Sequence, residues 1–289
     1  MESVSVIVPT RNEPLERFER TLRTLRNTQA IQHEIIVVDD NSDLDFAPLC
    51  ARYDAKLRRM PARVGLHALI EEGVALATKP FIFIIDAHME FYDNQWDLEM
   101  WQTLEANPFV QTCHVSHAIG HGVAGRGSIL QTPDSYDWLE PKWAKFDSGE
   151  IDVPLGACYG WRKSWFQYLR GVKGLHNYGA NEAFLALKNI AAGGSNILLT
   201  SEVGHDYNKL PTTERETKWR HASILLNKAT IYHLILDGVI EKPKIIEPVE
   251  KHVDVARLAP LKNDLAAILS QTRIRDWMLS RGFRPAEQQ

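Results

Sequence analysis

The chain of 289 residues has few cysteines and no long apolar run, and both absences narrow what it can be. Its three cysteines, Cys50, Cys113 and Cys158, are odd in number and widely spaced, which disfavours a disulfide framework and a cysteine-based metal site. No stretch reaches the roughly 18 consecutive apolar residues that a membrane span needs. The first residues lead directly into an apolar segment and leave no room for a signal peptide. We therefore expect a cytoplasmic protein without a membrane span.

The chain also lacks a strong net charge and the common glycine-rich phosphate loops. A formal net charge of -4 gives no overall signature of nucleic-acid binding. Residues 209–289 are mildly basic, with 14 Lys and Arg against 10 Asp and Glu, which fits a solvated mixed surface better than a dedicated anionic partner. No Gly-x-Gly-x-x-Gly follows the first apolar segment, and no Walker-type loop is present. These absences disfavour the common dinucleotide-binding and P-loop folds.

Apolar segments and helical patterns alternate along the first part of the chain. Strand patterns cover residues 4–9, 34–42 and 81–85, and helical spacing covers residues 15–28 and 65–78. This alternation predicts a parallel sheet with right-handed crossovers. After residue 212 helical patterns predominate. The sequence therefore predicts an α/β domain over residues 1–212, with a mostly parallel sheet flanked by helices, and a helical C-terminal extension over residues 213–289.

One apolar run, at residues 81–85, leads directly into Asp86, Ala87 and His88. Such a run predicts a strand buried on both faces, and its carboxyl end is where open α/β sheets place their ligands. Residues two apart in an extended backbone point to the same side. A carboxylate beside an imidazole can hold a divalent metal, and a metal can hold a diphosphate. Taken alone, however, an Asp-x-His after a strand is more often a surface turn.

Six short motifs follow one another along the chain. In order they are Val-Ser-Val-Ile-Val-Pro-Thr-Arg-Asn-Glu at 4–13, Ile-Ile-Val-Val-Asp-Asp-Asn-Ser at 35–42, Arg-Val-Gly-Leu at 63–66, Asp-Ala-His at 86–88, Tyr-Gly-Ala-Asn-Glu at 178–182 and Val-Gly-His at 203–205. In this order they resemble the nucleotide-sugar-dependent glycosyltransferases of the GT-A fold, and of family 2 in particular. The last four resemble the catalytic domain of the polypeptide N-acetylgalactosaminyltransferases. The resemblance covers about residues 3–210 and implies a GT-A, Rossmann-like fold.

The resemblance implies a manganese site and a UDP-sugar donor. The metal ligands would be Asp86, His88 and His205. Elementary chemistry agrees, because a divalent ion neutralises the diphosphate leaving group as the glycosidic bond breaks. Imidazole ligands suit Mn²⁺ better than Mg²⁺, which prefers oxygen ligands only.

The resemblance also implies a nucleotide site at the ends of the first two strands. Its candidate residues are Pro9, Thr10, Arg11, Glu13, Asp40, Arg63, Asp86, Ala87 and Lys209. In the family, the loop of the first three contacts uracil and ribose, and the acid at Asp40 binds uracil. Lys209 follows the position of the family's lid arginine, where this chain has Asn208. Two alternatives stay open: Glu13 as a charge at the start of a helix, and Arg63 as a surface salt bridge.

The acceptor end of the predicted site departs from the family pattern at residues 178–182. Tyr178 replaces Trp, Ala180 replaces Gly, and the acid and amide are exchanged, so that Asn181 lies where the family has Glu. Glu182 lies where inverting family 2 enzymes place their catalytic Asp, and could act as a general base. In a retaining reaction the leaving phosphate takes the proton instead. Glu182 could also simply begin the next helix. The catalytic candidates are Glu182, Asn181 and Asp86.

The predicted function is therefore metal-dependent transfer of a hexose or N-acetylhexosamine from a UDP-sugar to an acceptor hydroxyl, with retention slightly favoured. The resemblance implies protein Ser or Thr as the acceptor, and a modified nucleic-acid base, a glycan or a metabolite are alternatives. A nucleotidyltransferase is disfavoured, because residues 10–13 lack the glycines of that class. A non-catalytic nucleotide-sugar-binding protein is the remaining alternative, because the 181–182 pair is altered and the lid arginine is missing.

Overall fold

A parallel half-sheet forms from the N-terminal strand–helix units in the computed structural model, which describes residues 2–154, 157–208 and 213–286. Its elements are β1 (Ser3–Thr10), α1 (Leu15–Asn27), β2 (Gln32–Asp39), α2 (Ala47–Arg52), β3 (Ala55–Arg59), α3 (Leu66–Leu76) and β4 (Phe81–Ile85). β1 pairs in parallel with both β2 and β4, and β2 pairs in parallel with β3. The predicted parallel arrangement is confirmed. β3 was not predicted, because its sequence Ala-Lys-Leu-Arg-Arg is short and largely charged.

The second half of the sheet is mixed. Its elements are β5 (Met89–Phe91), α4 (Trp96–Ala106), β6 (Val110–Ala118), β7 (Gly122–Gly125), β8 (Ser128–Leu130), β9 (Pro141–Trp143), β10 (Gly149–Ile151), β11 (Cys158–Arg162), α5 (Lys163–Tyr168), α6 (Asn181–Ala191) and β12 (Ser195–His205). Within the described residues the strand order is β10-β12-β6-β11-β4-β1-β2-β3, with β5 on β12 and β7 on β6. β11 runs antiparallel between β4 and β6, while β12 is parallel to β6.

The C-terminal part is helical, as predicted, and shares the core of the sheet. It consists of α7 (Glu214–Ile231), a π-helical turn (Tyr232–Leu236), α8 (Glu247–Glu250), α9 (Val255–Ile268) and α10 (Gln271–Ser280). Leu234, Leu258 and Met278 are buried in one apolar cluster with Phe184 of α6 and Ile84 of β4. The boundary between residues 212 and 213 stays a prediction. In the described ranges, no helix is both long and apolar enough to cross a membrane.

Two apolar layers enclose the sheet and fix the position of β4. Phe81, Phe83 and Ile85 pack into the layer that contains α1 and α4, while Ile82 and Ile84 pack into the layer that contains α3 and α6. β4 is therefore buried on both faces, as its continuous apolar run predicts. Because β4 also lies between β1 and β11, the residues that follow it emerge at the middle of the sheet edge.

Candidate active site

The three predicted metal ligands lie together at this edge. Asp86 and His88 follow β4, and His205 ends β12, where the antiparallel pairing of β5 with β12 places it opposite Met89. His205 Nε2 lies 3.1 Å from Asp86 Oδ2, and His88 Nε2 lies 4.0 Å from the same oxygen. One ligand atom from each of the three residues lies within 4.8 Å of the other two. The arrangement therefore offers one carboxylate and two imidazoles to a single ion.

An outer layer of charged residues orients this cluster. Glu13 Oε2 lies 3.1 Å from His88 Nδ1, which directs the other ring nitrogen toward Asp86. Arg17 contacts Glu13 at 3.4 Å and also donates to Asp206, at 3.0 Å, just after β12. Burial alone would lower the pKa of His88, but the contact with Glu13 and the charge of Asp86 raise it above the ordinary value. The cluster is therefore an environment that favours positive charge.

The donor set fits a divalent ion such as Mn²⁺. Imidazole nitrogens and a carboxylate oxygen are ligands that Mn²⁺ accepts, and a carboxylate that orients one of the histidines is the usual partner of such a ligand. The side chain of Asp86 is 41% exposed, so the cluster is open on one side. An ion held here would keep positions for phosphate oxygens or water.

A cavity of about 100 Å³ adjoins Asp86 and contains the predicted catalytic residues. Asn181 and Glu182 form the first turn of α6 and both line the cavity. Glu182 is half-buried, and this burial, with smaller contributions from the carboxylates of Glu140 and Asp86, raises its pKa to about 7. Tyr159 of β11 also lines the cavity. Sequence reasoning missed Tyr159 because β11 was not predicted.

A second cavity, of about 150 Å³, contains most of the predicted nucleotide residues. Its predicted members are Pro9, Thr10, Arg11, Asp40 and Arg63. The two cavities share Pro9, Leu66 and Tyr178, so they are contiguous. The residues at the ends of β1 and β2 thus lie beside those at the end of β4, as the parallel order requires.

Asp40 supports the wall of this second cavity. Its carboxylate accepts hydrogen bonds from the backbone N–H groups of Val64, at 2.6 Å, and Gly65, at 3.1 Å. Gly65 has φ +87°, and a Cβ there would lie 2.6 Å from the backbone of Asn177, so the turn requires glycine. By holding this turn, Asp40 fixes the backbone next to Arg63. The predicted contact of Asp40 with uracil stays a prediction.

Three further residues of this cavity come from α7, and sequence reasoning missed them. Trp219 lies under the Arg63 guanidinium, with 4.1 Å between the guanidinium carbon and the ring centroid. Arg220 lies 5.1 Å from the ring centroid of Tyr178. Glu216 contacts Arg63 at 3.4 Å, so the ion pair expected as an alternative for Arg63 exists, but it lies in the cavity. In the sequence, the one signal that could have pointed to this segment is a tryptophan among charged residues.

The remaining predicted residues lie elsewhere. Glu13 is buried against His88 and Arg17, and Ala87 is buried, with its carbonyl accepting a hydrogen bond from Thr21. Glu13 and Ala87 are not among the described residues that line the two cavities. Lys209 falls outside the described residues. Their proposed roles at the nucleotide stay predictions.

A third cavity, of about 620 Å³ and larger than these two, lies at the opposite end of β4. It is lined by Phe109, Arg162, Trp165, Tyr168 and Arg273, among others, and Arg162 pairs with the first residue of β4 rather than the last. Of the predicted site residues that the structure describes, none lines it. Size alone therefore does not identify the site, whereas the converging charged side chains do.

Residues 5–135 match the family model described as Glycosyl transferase family 2. This part of the chain is a family 2 glycosyltransferase domain. Polypeptide N-acetylgalactosaminyltransferase 8 of Drosophila melanogaster is 27% identical over 227 residues, which are 71% of this chain and 38% of that protein. Polypeptide N-acetylgalactosaminyltransferase 5 of Caenorhabditis elegans is 25% identical over 254 residues, 78% of this chain and 40% of that protein. The chain spans about two fifths of the length of these relatives.

Solved structures share the fold of this glycosyltransferase domain. GalNAc-T7, in a crystal structure with UDP, GalNAc and Mn²⁺, superposes with a TM-score of 0.76 at 16% identity, covering 98% of this chain and 58% of that one. The mannosyltransferase PcManGT from Pyrobaculum calidifontis, in complex with GDP-Man and Mn²⁺, gives a TM-score of 0.55 at 19% identity, covering 92% and 73%. The predicted GT-A fold and the relationship to the N-acetylgalactosaminyltransferases are confirmed.

Proposed function

We propose that the protein is a metal-dependent glycosyltransferase that moves a sugar from a UDP-sugar to an acceptor hydroxyl. The observation that carries this proposal is the convergence of Asp86, His88 and His205 beside two contiguous cavities. The family 2 match supports the reaction class, and the Mn²⁺ in both solved structures of the same fold supports the metal. UDP as the nucleotide is supported by its presence in the GalNAc-T7 structure.

Each part of the site has a task in this reaction. A bound divalent ion would neutralise the charge that develops on the leaving diphosphate. Asp86, His88 and His205 would hold that ion, and Glu13 keeps the His88 ring in its orientation. The guanidinium groups of the neighbouring cavity bind phosphate oxygens in a planar, paired geometry. Asn181 and Glu182 lie at the sugar and acceptor end.

Retention of the anomeric configuration is supported by the resemblance to the polypeptide N-acetylgalactosaminyltransferases. In that reaction the bond from the anomeric carbon to the phosphate oxygen breaks, the bond to the acceptor oxygen forms on the same face, and the leaving phosphate accepts the acceptor proton. The names of the relatives also support a polypeptide acceptor and an N-acetylhexosamine as the sugar.

Inversion is the second candidate, and the pKa of Glu182 favours it. A carboxyl with a pKa of about 7 is suited to remove a proton from the acceptor hydroxyl near neutral pH. The acceptor would then attack from the face opposite the diphosphate. The anomeric configuration of the product, measured by proton NMR, separates the two reactions.

Calorimetric titration with UDP tests the metal site. We expect Mn²⁺-dependent UDP binding in the wild type and its loss in His88→Ala, because one of three metal ligands is removed. His121→Ala, in the exposed turn between β6 and β7, is the matched control and should bind as the wild type does. Metal-independent binding that survives in His88→Ala would refute the site assignment.

A screen of UDP-sugars for hydrolysis, followed by mass spectrometry of products on candidate acceptors, tests the reaction. Slow hydrolysis of one UDP-sugar contradicts a purely binding role, and release of pyrophosphate from a nucleoside triphosphate would instead indicate a nucleotidyltransferase. Peptides, oligosaccharides and modified DNA are the acceptors to include. A nucleic-acid acceptor predicts binding that weakens steeply with salt.

A further inference from the structure

The first turns of α7 place a carboxylate among three guanidinium groups in the nucleotide cavity. Glu216 Oε1 lies 3.8 Å from Arg11 Nη1, 3.4 Å from Arg63 Nη2 and 3.4 Å from Arg220 Nη2. All four residues line the cavity. The other carboxylate of the cavity, Asp40, accepts hydrogen bonds from backbone N–H groups. Glu216 is therefore the carboxylate that pairs with the three guanidinium groups, and it does not balance their charge.

The geometry of α7 explains why Glu216 reaches into the cavity. Positions 216, 219 and 220 are spaced three and four residues apart, so their side chains share one face of the helix. Glu214 lies off this face, with its side chain 82% exposed, and pairs with Lys218 instead. Thr213 caps the helix by accepting a hydrogen bond from the backbone N–H of Glu216 at 3.1 Å. The cap thus fixes the backbone of Glu216 at the start of the helix.

We infer that Glu216 is an internal competitor for the anionic part of the donor, and thereby a specificity-determining residue. The inference rests on the proposed function, which puts a nucleoside diphosphate in this cavity. In the free protein, the carboxylate holds together three guanidinium groups that would otherwise repel one another. A ligand can take over these arginines only if its own charge exceeds that of the carboxylate it replaces.

This competition discriminates among ligands by their charge. An uncharged nucleoside leaves the ion pairs of Glu216 intact and gains nothing from the arginines. A diphosphate offers several charged oxygens to three guanidinium groups, which bind such groups in pairs. Glu216 therefore raises the charge that a ligand needs for tight binding, and so favours nucleoside diphosphates over monophosphates and nucleosides.

The substitution Glu216→Gln tests this role, because it removes the charge and keeps the shape. Glutamine is also accepted at the third position of a capped helix, so the start of α7 is preserved. We expect the Kd for UDP, measured by calorimetry with Mn²⁺, to fall about fivefold, as expected for the loss of ion pairs worth about 1 kcal/mol in total. The Kd for UMP should fall less, and that for uridine should stay within about twofold of the wild type.

Glu214→Gln is the control, since it makes the same charge change two residues away on an exposed side chain. An equal tightening in Glu214→Gln, equal tightening for uridine, or weaker UDP binding in Glu216→Gln each overturns the inference. Wild-type UDP binding reports separately on the proposed function. If the wild type and both variants fail to bind UDP, both proposals fall. If the wild type binds UDP but its Kd does not exceed that of Glu216→Gln, only the role of Glu216 is overturned.

Discussion

At the scale of single residues, Glu182 is a candidate site residue whose charge state should respond to pH near neutrality. Its pKa is raised from an ordinary value of 4.5 to about 7, mainly by burial. The folded protein therefore binds this proton more tightly than the unfolded chain does. The resulting stabilisation is fully present below about pH 4.5 and is lost as the pH rises through about 7.

Glu182→Gln removes this pH dependence, because glutamine does not titrate. Relative to the variant, we expect the wild-type free energy of unfolding to fall by on the order of 2 kcal/mol between pH 4.5 and pH 8. Urea denaturation in the presence of a chelator measures it. Glu150→Gln, at an exposed position of β10, is the control and should follow the wild type. If the free energies of unfolding of the wild type and Glu182→Gln differ by the same amount at every pH, the pKa of Glu182 is not shifted.

Single residues were predictable where a short motif fixes their position. Asp86 and His88 follow a buried strand, so their place at the sheet edge follows from the local sequence. Tyr159, Glu216 and Arg220 were not predictable, because they reach the cavities through β11 and α7, whose positions depend on distant packing. The neighbours of Asp40 belong to a turn whose path likewise becomes visible only in the folded chain.

At the scale of elements, the turn before α6 holds a non-glycine residue in a left-handed conformation. Ala180 has φ +64°, and it precedes Asn181 and Glu182 directly. A left-handed alanine costs roughly 1–2 kcal/mol, whereas glycine adopts this region freely. The first turn of α6, which is the proposed acceptor end of the site, is therefore held by a backbone conformation that alanine tolerates only with strain.

Ala180→Gly should relieve this strain. We expect the free energy of unfolding to rise by about 0.5–1 kcal/mol, since the extra freedom of glycine in the unfolded chain offsets part of the gain. Ala183→Gly, inside α6, is the matched control and should instead destabilise by about 1 kcal/mol. Urea denaturation of the wild type, Ala180→Gly and Ala183→Gly measures these changes in the free energy of unfolding. A loss of stability in Ala180→Gly would mean that contacts of its methyl group outweigh the strain.

The elements that could be predicted were those with enough residues to show a period. β1, β2 and β4 have long apolar runs, and α1 repeats its buried residues at helical spacing. β5 has three residues, and the region from residue 122 to residue 151 contains four strands of three or four residues, β7 to β10. Such short strands are stabilised by pairing with their neighbours. With three or four residues each, they are too short to show an alternating pattern in the sequence.

At the scale of the whole molecule, the C-terminal helices complete the site that the N-terminal strands begin. α7 supplies a wall of the cavity proposed to bind the nucleotide, while α9 and α10 pack into the core behind α6. The family motifs end near residue 210. Beyond that point the sequence could predict helices, but it could not predict that one of them lines a cavity of the candidate site. The proposed donor site thus joins segments more than 150 residues apart.

Trp219→Ala tests whether this long-range wall contributes to donor binding. Trp219 supports the Arg63 guanidinium at 4.1 Å, so its removal should free Arg63 and raise the Kd for UDP about threefold to tenfold. Trp277→Ala is a matched control, because Trp277 on α10 also carries an arginine, Arg281, at 5.0 Å but lies outside the cavity lining. Calorimetric titration should show weaker binding in Trp219→Ala alone. If both variants weaken UDP binding equally, the effect comes from the stability of the helical part, and α7 is not a wall of the donor site.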